Sequence, residues 1–130
     1  MKTHSDDERM LRDLVASCTL AFNRGDEDEW LTYWSDKAEL SSGAIILRGH
    51  DGLRQLFRSR QPSSQYFTTD SETAITGEIA TLQCNYFRVV SLPEGSKLDS
   101  HGRLNQQFCR TPDGWQIRHC TIDTGFSAIQ

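Results

Sequence analysis

Two tyrosines, an arginine and a histidine fall where strand alternation would turn them to one side. Along residues 79–92, Ala80, Leu82, Cys84, Tyr86, Arg88 and Val90 share one parity, while Thr81, Gln83 and Asn85 share the other. Successive strand side chains point to opposite faces, so the first, more apolar set is expected to face inward. By the same logic Leu104 and Phe108 bring Gln106 inward, and Trp115 with Ile117 bring His119, Thr121 and Asp123 to one face of the last strand. His119 is the candidate acid or base, because an imidazole's ordinary pKa of about 6.5 suits proton transfer at neutral pH. The alternative is a packed histidine satisfied by a backbone carbonyl. Asp123 lies too far along an extended strand to orient it directly. Tyr86 and Tyr66 could donate hydrogen bonds to a substrate carbonyl or a developing enolate, or serve as plain aromatic walls. Parity at Tyr66 is ambiguous, since Phe67 competes for the inward position. An inward guanidinium without a partner is costly, so Arg88 must meet an acid or a ligand anion. Asp123 is its candidate mate.

Helical periodicity must supply the other wall. Leu11, Leu14, Val15, Cys18 and Phe22 make one face of a helix over about Asp6–Asn23, with Ser5 and Glu8 as a capping box. Residues 1–6 are expected to form a flexible tail. Arg24-Gly25 ends that helix, and Asp26 with Glu29 opens a short second one bearing Trp30, Leu31 and Trp34, with Tyr33 alongside. A strand near Ala38–Ser42, a break at Gly43 and the apolar Ile45-Ile46-Leu47 follow. Gly49 introduces a third helix with Leu53, Leu56 and Phe57 as its buried stripe, ending before Gln61-Pro62. Tyr66–Ser71, Ile79–Leu92, Leu104–Arg110 and Trp115–Asp123 then read as strands separated by turn formers, with adjacent ones antiparallel. Helices first and strands afterwards imply a single α+β domain in which a curved antiparallel sheet wraps the helices. His101 reads as a loop histidine, and His50 and His4 as exposed.

Several functions are disfavoured at once. Fourteen Lys and Arg against eighteen Asp and Glu, with no basic stripe, argue against nucleic acid. The longest apolar run is far short of the roughly 18 residues a membrane span needs, and the acidic start lacks a secretory pattern, so a cytoplasmic protein is expected. Cys18, Cys84, Cys109 and Cys120 form no CxxC pair or zinc spacing, which favours reduced core thiols over a disulfide framework or a metal site. No phosphate loop, G-x-S-x-G elbow or H-E-x-x-H motif occurs, so neither metal nor cofactor is expected.

The segments LVASCTLAFNRGDEDEWLTYWSDKAEL, ILRGHDGLRQLF, GEIATLQCNYFRVV and GRLNQQFCRTPDGWQIRHCTID resemble the SnoaL-like branch of the nuclear transport factor two-like superfamily, over Leu11 to Asp123. The resemblance implies a cone: helices packed into the concave face of a bent sheet, with a small-molecule pocket between them. It implies that the positions of a dehydratase-type tyrosine, aspartate, histidine and second aspartate are held here by Cys18, Asn23, Tyr66 and Gln106. An isomerase-type base would fall at Ser41 or Ser42, and the Arg-x-Asp pattern of the epoxide hydrolases is absent near His101-Gly102-Arg103. Trp30, Trp34, Phe57, Phe108 and Trp115 would supply apolar walls, with Tyr33, Arg88 and Asp123 as further ligand contacts. Such a lining suits a mildly polar polycyclic or polyketide-like molecule. The expected function is a cofactor-independent cyclase, isomerase or dehydratase. The competing expectation is a non-catalytic module resembling the small subunits of ring-hydroxylating dioxygenases. The superfamily's convex sheet implies a homodimer, for which Phe87 and Val89 offer outward apolar positions.

Overall fold

The computed structural model of the chain describes residues 4–127. Helix α1 (His4–Arg24) opens it, followed by α2 (Glu27–Thr32), strands β1 (Trp34–Ser42) and β2 (Ile45–Arg48), and helix α3 (Gly49–Arg58). Four long strands complete the chain: β3 (Ser64–Thr76), β4 (Ile79–Leu92), β5 (Gly95–Thr111) and β6 (Gly114–Ser127). They form one six-stranded sheet in the order β2-β1-β6-β5-β4-β3. Neighbours are antiparallel except β1 and β6, which pair in parallel. Those two strands are remote in the chain, so no hairpin turn announces their partnership. The result is the expected α+β cone, a curved, unclosed sheet around three helices.

Apolar periodicity explains the helices. Leu11, Val15, Cys18 and Ala21 recur on one side of α1 and are all buried. Asp26 caps α2 as its spacing predicts, its side chain accepting from the Glu29 N–H at 3.1 Å. Leu53 and Phe57 seat α3. Phe108, Leu82 and Ile117, each 0% exposed, form the sheet side of the core. Each fully buried side chain of this size contributes about 1.5–3 kcal/mol.

The start of α1 departs from expectation. Helix begins at His4 rather than after a six-residue tail, and residues 1–3 lie outside the described residues. Asp7 is buried because Arg110 grips it with two nitrogens at 3.2 and 2.9 Å, while the Trp115 indole N–H donates to it at 3.3 Å. The Arg110 guanidinium also lies over the Trp115 ring at 4.2 Å. An acid near the chain start thus becomes an anchor between α1 and the β5–β6 hairpin.

Strand irregularities matter more for function than strand lengths. In β5, Asp99 is an extra residue between the pairs Arg88 with Ser100 and Val89 with Leu98. In β6, Arg118 is extra between the pairs Phe108 with Ile117 and Gln107 with His119. A third bulge near Asp70, at φ 55, interrupts β3. Each bulge re-aims the side chains beyond it. His101, expected in a loop, lies within the longer β5 and is exposed.

Candidate functional site

Four of the polar groups that converge inside the cone lie near its β4–β5 end. Tyr86 and Arg88 follow the inward parity of β4, and Tyr66 sits opposite Arg88 in the β3–β4 pairing. Arg88 donates from Nε and Nη2 to the two carboxylate oxygens of Asp99, both at 2.8 Å. Its Nη1 lies 3.4 Å from the Tyr66 hydroxyl. The Asp99 hydrogen bonds raise the guanidinium's pKa above its ordinary value, outweighing the opposite effect of desolvation. Asp99 is only 1% exposed, whereas the Arg88 side chain keeps 21% of its surface open. The Tyr86 hydroxyl hydrogen-bonds with Thr124 at 3.0 Å and, more weakly, with Ser100 at 3.4 Å. Thr124 is exposed and Tyr66 half-buried, so this end opens to solvent.

The expected pairing of Arg88 with Asp123 is incorrect. Asp123 lies on the outer face, exposed, where Asn105 donates to it at 3.3 Å. The true partner, Asp99, lies between the expected strands Ile79–Leu92 and Leu104–Arg110, in a stretch that β5 extends to include.

Asn23 reaches the same region by a different route. Its Nδ2 donates to the Tyr66 carbonyl at 2.8 Å and its Oδ1 accepts from the Tyr66 N–H at 2.9 Å. The amide therefore completes the edge of β3 as another strand would, and fixes the backbone of Tyr66. Its role is positioning. Asn23→Asp retains the acceptor but sets a carboxylate against the carbonyl, and is expected to cost about 1–3 kcal/mol. Equilibrium denaturation checks this, and an unchanged midpoint would remove the clamp.

Aromatic rings extend the wall into the core. Phe22 meets Tyr66 edge-on at 5.6 Å, and Tyr66 lies 6.1 Å from Tyr86. Behind Tyr66, Phe22 and Trp30 meet at 5.4 Å and each packs on Phe57, at 5.3 and 5.2 Å, while Trp34 lies 5.4 Å from Trp30. Trp30, Trp34, Phe57, Phe108 and Cys18 are buried in one continuous cluster, with Tyr33 packed against it. They form a packed floor beneath the site rather than free ligand contacts. Gln106 faces inward, its Nε2 donating to Cys120 Sγ at 3.7 Å. Its Oε1 and the Trp34 Nε1 are buried without a hydrogen-bond partner among the described residues.

The thiols are inert by environment. Burial pushes Cys84 up to about 11 and Cys120 up to about 12, and raises Cys18 further still. At neutral pH they are protonated and poorly nucleophilic. Among the described residues, no group of three or more His, Cys, Asp or Glu side chains is placed to hold a metal ion.

His119 is not where parity put it. Arg118 is the extra residue, so Ile117 and Cys120 both face the core and His119 faces out. A single inserted residue reverses every side chain beyond it. Its Nδ1 lies 3.9 Å from a Glu39 carboxylate that Arg48 already grips at 2.9 Å. Two open depressions, of about 280 and about 400 Å³, meet at His119 and Gln107 on this outer face. Thr121 turns outward with it, and Ile122 and Thr124 take the inner side.

The SnoaL-like domain model matches residues 3–121. The chain belongs to the SnoaL-like family. Solved structures agree on the fold. A nuclear transport factor two-like protein of cystatin-like fold from Novosphingobium aromaticivorans is 18% identical, over 90% of this chain and 80% of that one, with a TM-score of 0.84. A candidate aromatic ring hydroxylase from the same species is 19% identical over 96% and 93%, TM-score 0.83. A candidate dehydratase of the family from Streptomyces avermitilis is 19% identical over 92% and 97%, TM-score 0.80. No curated protein matches the sequence significantly. In the SnoaL-like frame, the interior positions Cys18, Asn23 and Gln106 are occupied by a thiol and two amides. None of the described helices is long and apolar enough to cross a membrane.

Proposed function

We propose that this SnoaL-like chain binds a small, mostly apolar, oxygen-bearing organic molecule at the Tyr66–Tyr86–Arg88 end of the cone. There it acts as a cofactor-independent cyclase, isomerase or dehydratase on a polyketide-, terpenoid- or steroid-like substrate. The observation that carries this reading is the Arg88–Tyr66 contact. Because the Tyr66 oxygen accepts from a guanidinium N–H, its own proton is left for a ligand acceptor. A phenol backed by a cation is a preorganised donor for a ligand carbonyl or an enolate oxygen as charge develops on it. Asp99 neutralises Arg88, so the site suits a neutral oxygen rather than a free carboxylate. Orientation against the aromatic wall supplies the remainder of the rate enhancement. Solved relatives described as a candidate dehydratase and a candidate ring hydroxylase are consistent with this chemistry.

His119, on the outer face, has no part in it. Tyr66→Phe is therefore expected to weaken binding or turnover of a polycyclic phenolic ketone about tenfold, while His119→Ala leaves both unchanged. Tryptophan fluorescence reports occupancy, since Trp30 packs against Phe22, its ring tilted at 5.4 Å, and Phe22 in turn meets Tyr66. Equal affinity and turnover for Tyr66→Phe and wild type would overturn the reading. A second reading, a non-catalytic ligand module, is favoured by the uncharged Cys18, Asn23 and Gln106. Binding without product formation across such a panel would select it. In either case we place a second copy of the chain against the outward Phe67–Phe87 stack, whose rings are 5.1 Å apart.

A further inference from the structure

The outer face of the sheet carries a site unrelated to the cone interior. Two bulges build it. The extra residue in β6 leaves Arg118 and His119 side by side on the outer face, where a regular strand would have sent them to opposite faces. In β1, four residues between Trp34 and Glu39 span a stretch that β6 crosses with one, which brings Ser35 and Lys37 to the same place. The depression of about 400 Å³ is lined by Ser35, Lys37, Glu39, Gln107, Cys109, Arg118 and His119.

Charge pairing singles this depression out. Nearly every arginine elsewhere meets a carboxylate, a ring or a side-chain acceptor, as Arg24 does with Glu29, Arg54 with Asp51, Arg58 with Glu27 and Arg110 with Asp7. Among the described residues neither Lys37 nor Arg118 has a carboxylate within ion-pair distance. Glu39, the carboxylate in the lining, is held by Arg48 at 2.9 Å and lies 3.9 Å from His119 Nδ1. In a chain of net charge −4, two free cations and an imidazole thus converge on one concavity. The adjoining depression of about 280 Å³ shares His119 and Gln107 and adds Thr81, Gln83, Asn105 and Thr121. Those amides and hydroxyls each donate and accept, and the one ring in the lining of either depression, among the described residues, is the His119 imidazole.

We propose that this outer groove binds a sugar phosphate. The phosphate sits between Lys37, Arg118 and His119, where charge-assisted hydrogen bonds are strongest, and the sugar hydroxyls lie over Gln83, Asn105 and Thr121. The one ring of the groove, the His119 imidazole, is committed to the phosphate, so a nucleotide base gains no separate stacking platform. The proposal is independent of the reading of the cone interior.

Amide chemical-shift titration of the full chain with glucose 6-phosphate, glucose, inorganic phosphate and AMP tests it. Glucose 6-phosphate is expected to shift residues around Lys37, Gln107 and Arg118, with glucose at least about tenfold weaker and inorganic phosphate intermediate. Lys37→Gln with Arg118→Gln is expected to weaken glucose 6-phosphate at least about tenfold, while Arg54→Gln, on α3, leaves it unchanged. Both changed positions are exposed, so folding is not at stake. Three results would overturn the proposal: no shifts at these residues, equal binding by the double variant, or tighter binding of AMP than of the sugar phosphate.

Discussion

Asp99→Ala is expected to lower the unfolding midpoint by about 10 °C. The side chain is 1% exposed and accepts two hydrogen bonds at 2.8 Å from Arg88. Removing one partner of a buried ion pair costs about 3–5 kcal/mol, because the other charge stays desolvated and unpaired. Arg88 retains 21% exposure and can turn partly to water, which reduces the cost to about 2–3 kcal/mol. For a chain of this size each kcal/mol moves the midpoint by about 3–5 °C. The double variant Arg88→Met, Asp99→Leu removes both charges and is expected to recover at least half of the loss. Calorimetry on Arg88→Met, Asp99→Leu and the double variant measures the coupling. Additive losses would mean that the pair contributes nothing as a pair. Ligand affinity at Tyr66 should fall in the two variants that lack Arg88, because no guanidinium then backs the phenol.

Gly102→Ala is expected to do more damage than its chemistry suggests. A β-carbon there would fall on the carbonyl oxygen of Asp123, with the Thr124 Cα also too close. Both obstacles are backbone of the neighbouring strand, so β5 and β6 must separate where their register already shifts. Thr124 would move with β6 and release the Tyr86 hydroxyl. We expect a loss above about 3 kcal/mol, in the range of a large core truncation, with faster hydrogen exchange along β6. Gly77→Ala serves as the control. Nothing lies within 4 Å of its added carbon, and its φ of 60 costs only about 1 kcal/mol. Equal stability of the two variants would show that the strands part without penalty.

Local pattern carried much of this protein. The 3.6-residue stripe of α1, the Asp26 cap and the alternation along β4 depend on near neighbours in sequence. The inward set from Ala80 to Val90 was accordingly readable, with Tyr86 and Arg88 in it. The same rule failed for His119, because alternation holds only while no residue is inserted, and nothing local marks Arg118 as the insertion. It also failed for the partner of Arg88, since Asp99 lies in the stretch between two expected strands.

Composition and periodicity alone determined an α+β chain, the faces of its helices and the inward side of β4, while four motif-bearing segments carried the SnoaL-like resemblance. Tertiary structure decided which polar groups meet: Asp99 with Arg88, Asn23 with the backbone of Tyr66, Asp7 with Arg110, and His119 with the outer face. The physical reason is that side-chain direction in a sheet accumulates along the strand, so one bulge reverses everything beyond it. A bulge is stabilised by the neighbouring strand and the packing of both faces, contacts that separation in sequence conceals.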